Sequence, residues 1–90
     1  MRSEKELLKV MLEHQELFTD GLCCWSRRLY FNDLITFDER ILLKDYIRNN
    51  RPSKYSSLLA YKNRNYGFYW ERGEIAPRIK WIKKHINKLK

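Results

Sequence analysis

Acid–base or nucleophilic catalysis in this chain would have to draw on His14 and His85, its two histidines, with Cys24 or Ser26 as nucleophile. A nucleophile has to stand within hydrogen-bond reach of its base, and only a tertiary contact could bring these residues together. The acidic residues fit other duties. Asp38 and Glu39 suit the start of a helix, where the backbone dipole favours negative charge, and Asp20 and Asp33 suit turns. Gly21, Gly67 and Gly73 are scattered and form no phosphate-cradling loop. Cys23 and Cys24 are sequence neighbours, with Cα atoms about 3.8 Å apart across a trans peptide. That is shorter than ordinary disulfide geometry, and no second cysteine group is available for a disulfide framework or structural zinc site. Both are expected to be buried small hydrophobes beside Trp25. The expectation is a protein that is not an enzyme and uses no metal, cofactor or small-molecule substrate.

The chemistry left is recognition of negative charge. From Gly73 to Lys90, Ile75, Ile79, Ile82, Ile86 and Leu89 recur at spacings of four and three, which draws one apolar stripe down a helix. Arg78, Lys80, Lys83, Lys84, Lys88 and Lys90 fill the intervening positions, giving a strongly positive margin. Trp81 and His85, spaced by four, either extend the contact face or rest on rings from the preceding segment. That segment, Ser53 to Arg72, has no clear period. It interleaves Tyr55, Tyr61, Tyr66, Phe68, Tyr69 and Trp70 with Lys54, Lys62, Arg64 and Arg72. Such rings can stack on bases while the cations neutralise phosphates, or they can fill the core between helices. Tyr61, Tyr66 and Tyr69 are the first to test as contacts.

The charge balance points the same way. Residues 1–50 hold eight Lys/Arg against nine Asp/Glu, whereas residues 51–90 hold eleven against Glu71 and Glu74 alone, so the halves carry −1 and +9. A one-sided excess of this kind attracts polyanions or acidic protein surfaces. A membrane surface is a poorer match, because the stripe of the last helix is narrow and Ile-rich, as core packing requires. Met1 leads directly into Arg2, Glu4 and Lys5 without an apolar signal-peptide stretch, and no run is long enough to span a bilayer. A soluble, intracellular protein is expected.

The elements that position these residues follow from local signals. Ser3 and Glu6 have capping-box spacing and should open a helix with Leu7, Leu8, Met11, Leu12 and Phe18 inside, running to Asp20-Gly21. Leu22, Trp25, Leu29 and then Tyr30 or Phe31 mark a second helix that ends at Asn32-Asp33. Thr36 and Glu39 repeat the capping box before a third, with Ile41, Leu42, Tyr46 and Ile47 inside and an end at Asn49-Asn50 before Pro52. Ser56–Ala60 suggests a short helical turn, and Tyr66 to Trp70 a short extended piece. The last helix begins near Ile75 or Ala76, because Pro77 is tolerated only in a first turn. Ninety residues with 43% hydrophobic and 14% aromatic side chains supply one modest core. The pattern is that of a single, compact all-α domain of about four helices with one irregular aromatic-rich segment.

The succession Gly21-Leu22-Cys23-Cys24-Trp25, Tyr46-Ile47-Arg48, Arg51-Pro52 and Tyr69-Trp70-Glu71-Arg72-Gly73-Glu74-Ile75-Ala76-Pro77-Arg78-Ile79-Lys80-Trp81-Ile82 resembles small uncharacterised proteins encoded by bacteriophages and prophages. The resemblance covers roughly Gly21 to Leu89 and leaves out the opening helix. It carries no catalytic residues with it. Small phage proteins of this type include anti-CRISPR inhibitors of host defence, which commonly occupy a site on an effector or its guide RNA. Many such inhibitors are acidic mimics of nucleic acid, and the basic half of this chain departs from that pattern. The resemblance therefore implies an inhibitor, in the cytoplasm of a host bacterial cell, that binds an RNA-guided nuclease or its guide RNA through Lys54–Lys90. A phage nucleic-acid-binding accessory protein with no defence target is the alternative.

Overall fold

The computed structural model describes residues 1–19, 21–50 and 75–89, with the backbone alone at Pro77. Helix α1 spans Glu4–Glu13, a single 3-10 turn follows at Gln15–Leu17, and α2 spans Leu22–Phe31, α3 Phe37–Asn50 and α4 Ile75–Lys88. The described residues are thus all-helical, as the spacing of apolar residues predicts. The readings at Ser56–Ala60 and Tyr66–Trp70 lie outside the described residues.

Both capping boxes form. Ser3 Oγ accepts from the Glu6 amide at 3.3 Å while the Ser3 amide donates to Glu6 Oε1 at 3.1 Å. Thr36 Oγ1 accepts from the Glu39 amide at 3.1 Å, and the Thr36 amide donates to Glu39 Oε1 at 2.9 Å. Each pair satisfies two backbone donors that a helix start leaves without intrahelical partners. The end of α2 is equally well defined. Asp33 takes a left-handed φ of 61°, its amide donates to Tyr30 O, and the Leu34 amide donates to Leu29 O, both at 3.0 Å. These two bonds form a Schellman motif, with Asp in the position glycine usually holds.

The first helix is shorter than its periodicity predicts. It stops at Glu13, and the Trp25 indole Nε1 donates to the carbonyl of His14 at 3.0 Å. That carbonyl lies just past the last helical residue and also accepts from the Leu17 amide at 3.1 Å, so the 3-10 turn and a group from α2 share the acceptor where α1 ends. Phe18 sits beyond the 3-10 turn in extended backbone and meets Trp25 edge-on, with ring centroids 5.5 Å apart. It joins the core as expected, but from a loop.

The core draws on all four described helices. Leu7, Leu8 and Met11 come from α1, Leu22, Trp25 and Leu29 from α2, Leu43 and Ile47 from α3, and Trp81 and Ile82 from α4, with Ile35 from the α2–α3 connection. Burying each Leu or Ile side chain contributes about 1.5–3 kcal/mol. The third helix is rotated relative to its predicted stripe. Leu43 is fully buried and Leu42 and Tyr46 partly so, whereas Ile41 remains 37% exposed. Helix α2 packs chiefly on α3, and α4 packs on α1.

A polar clip joins the start of the chain to α3. Glu39 is 3% exposed. Its carboxylate accepts from the Arg2 amide, Arg2 Nε and Arg2 Nη2 at 3.0, 3.0 and 3.1 Å, while Nη2 also donates to Leu34 O at 2.8 Å. These charge-assisted bonds, with the Thr36 amide next in importance, hold the Glu39 carboxyl down at about 2. The helix-start role predicted for Glu39 is therefore combined with a long-range ion pair.

Candidate nucleic-acid interface

Helix α4 divides into two faces, but the division is rotated from the isoleucine stripe. Arg78, Trp81, Ile82 and His85 are buried, and Ile75, Ile79, Ile86 and Leu89 are only partly covered. The buried set follows the i, i+3, i+4, i+7 pattern of one ridge along a helix. Trp81 and His85 cause the rotation. The Tyr46 hydroxyl and His85 Nδ1 share a hydrogen bond of 2.7 Å, Trp81 lies 4.1 Å from the His85 ring centroid, and Tyr46 meets both rings edge-on. Large flat side chains gain more from this docking on α3 than isoleucines would from the same position. Burial, and then the charges of Lys88 and Lys84, push the His85 pKa down.

Arg78 therefore leaves the predicted positive margin. It is fully buried, and its guanidinium lies 5.1 Å from the centroid of the Phe18 ring. An arginine can be enclosed in this way because its stem is apolar and its flat cation stacks on an aromatic face. The sequence pattern counted its charge and missed its position beside Trp81 and Ile82.

The remaining described cations of α4 lie on its outer side. Lys80, Lys83, Lys84 and Lys88 are all exposed. At roughly 100° per residue they occupy an arc of about 140° on the side away from the buried ridge, and they span about 12 Å along the axis. None pairs with a carboxylate among the described residues, whose ion pairs are Arg2–Glu39 and His14–Glu16. Their charge is therefore available to a ligand. Lys90, and the candidate contacts Lys54, Tyr61, Lys62, Arg64, Tyr66, Tyr69 and Arg72, lie outside the described residues.

The groups considered for catalysis are engaged elsewhere. Ser26 Oγ donates to Cys23 O at 2.7 Å, a bond within α2, and His14 Nδ1 lies 3.1 Å from Glu16 Oε1. Cys23 and Cys24 are half-buried thiols rather than the buried hydrophobes expected, because Leu22, Trp25 and Leu29 hold the inner face of α2. Among the described residues no cluster of His, Cys, Asp and Glu has the arrangement to hold a metal ion, and no helix is long and apolar enough to cross a membrane.

A second cluster was not singled out by sequence reasoning. Phe31 and Phe37 are 66% and 54% exposed. Tyr30 lies 5.5 Å from Phe31 and 5.8 Å from Phe37 between ring centroids, and the Arg40 guanidinium sits 5.3 Å from Tyr30 and 5.7 Å from Phe31. The signal was the two phenylalanines flanking a predicted helix break, at positions that helical periodicity assigns ambiguously.

Comparison of the chain with known protein families, with curated proteins and with solved structures gives no match.

Proposed function

We propose that this chain is a non-catalytic nucleic-acid-binding protein that docks on phosphates through the outer face of α4. In its most specific form, suggested by the likeness to phage proteins, the ligand is the guide RNA of an RNA-guided nuclease in the bacterial cytoplasm, and binding inhibits that nuclease. The observation that supports this reading is the set Lys80, Lys83, Lys84 and Lys88, exposed on one arc with no carboxylate partner among the described residues. Lysines held this way release counterions when they meet a phosphate backbone, which makes affinity strongly salt-dependent.

The test is the salt dependence of binding to a labelled guide-type RNA hairpin. Each phosphate contact contributes about 0.7–0.9 to the slope of log K against log salt, so reversing all four lysines to Glu should flatten it by about 3–4. Circular dichroism of the variant should match the parent, because all four side chains face solvent. An unchanged slope and affinity would remove α4 as the interface. Target cleavage by an RNA-guided nuclease, with and without the protein, separates inhibition from simple nucleic-acid binding.

A further inference from the structure

The ring cluster where α2 ends and α3 begins lies on helices other than the one assigned to phosphate binding. Exposed phenylalanines cost apolar contact with water, and two of them packed against Tyr30, with an arginine over the Tyr30 and Phe31 rings, form a surface that favours flat, electron-rich partners. Cations flank this surface. Arg27 and Arg28 stand one turn before Phe31 on α2, at i−4 and i−3. Along α3, Ile41, Lys44 and Arg48 continue the face that Phe37 begins, at i+4, i+7 and i+11. Arg27, Arg28, Arg40, Lys44 and Arg48 form no ion pair among the described residues. The exposed carboxylates of the same two helices and their connection are Asp33, Asp38 and Asp45, so cations outnumber them. The near-neutral total of the first half of the chain hides this, because Glu4, Glu6, Glu13 and Glu16 belong to α1 and the turn after it.

We propose that Phe31 and Phe37, with Tyr30 packed against both rings and Arg40 against Tyr30 and Phe31, are a stacking platform for unpaired bases of a single-stranded nucleic acid, whose phosphates run along Arg27, Arg28, Lys44 and Arg48. A duplex hides the base faces that such rings recognise, so the platform acts on single strands while the α4 lysines act on any phosphate backbone. This inference rests on the reading of the protein as a nucleic-acid binder. It adds a second contact surface and selectivity for unpaired segments.

The experiment compares a fluorescein-labelled 12-nucleotide single-stranded RNA with the same sequence annealed to its complement, by anisotropy at fixed salt. Removing one stacking ring weakens binding by about fivefold or more. Phe31→Ala is therefore expected to lose at least about fivefold on the single strand and less than about twofold on the duplex, while Phe31→Trp keeps wild-type affinity. Phe31 is largely exposed at the last position of α2, so these variants should fold. Unchanged single-strand affinity in Phe31→Ala would overturn the platform and leave the α4 reading standing. Duplex binding that survives reversal of the α4 lysines would instead overturn the α4 reading while the platform stands. A wild-type protein that binds neither RNA overturns both. A dimer in sedimentation that dissociates in Phe31→Ala would assign the rings to a second copy of the chain and overturn the platform.

Discussion

Replacing Glu39 by Gln removes the charge that Arg2 grips and leaves the shape of the side chain nearly unchanged. Holding a carboxyl at about 2 when its ordinary value is 4.5 corresponds to about 3 kcal/mol, at about 1.4 kcal/mol per tenfold. The Arg2 side chain is 40% exposed, and solvent screening there reduces the estimate to about 2 kcal/mol. The variant amide also turns one acceptor into a donor facing Arg2, which adds to the loss. Because the folded pKa lies below the unfolded one, the stabilisation is complete above pH 4.5 and disappears as pH falls toward 2. Thermal melts followed by circular dichroism should show wild type about 8–16 °C above Glu39→Gln at neutral pH, scaled for a domain of this size. The gap should close between pH 4.5 and 2, where protonated Glu39 resembles the amide. A gap of the same size at pH 7 and pH 2.5, or none at either, would refute the ion-pair account.

Two further outcomes are expected. Trp25→Phe loses the indole donor to the His14 carbonyl, which keeps the Leu17 amide as its other donor, and should cost about 1 kcal/mol in urea denaturation, the net worth of one hydrogen bond; a loss below about 0.3 kcal/mol would mean that the end of α1 does not depend on α2. The lowered His85 pKa means that the unfolded chain takes up a proton before the folded one, so stability should fall as pH drops from 6.5 toward the folded pKa. The urea midpoint of His85→Gln should lack this change between pH 7.5 and 5.5, a window above that of Glu39.

What could be read from the sequence was what local physics decides. Ser3 with Glu6, and Thr36 with Glu39, cap their helices because the partners are three residues apart and need no tertiary information. The clip between Arg2 and Glu39 could not be read, because 37 residues separate its ends and only the packed helices bring them together. Phe18 shows the same limit. Its spacing fits a continuing α1, but the Trp25 indole takes the carbonyl where that helix ends. The candidate lysines were legible because charge on a solvent-facing arc follows from periodicity alone. Arg78 was not, because a side chain with an apolar stem and a stacking cation fits either face of a helix. Phe31 and Phe37 were hidden for the opposite reason, as large rings are assigned inward by default.

The ridge formed by Arg78, Trp81, Ile82 and His85 has a consequence for aim. Turning α4 about its own axis by one residue, roughly 100°, would unseat the indole and imidazole from Tyr46 and press lysine ammonium groups toward the core. That penalty leaves a single allowed roll angle for the helix. The four outward ammonium groups therefore point as one set, and a partner meets them already arrayed in space.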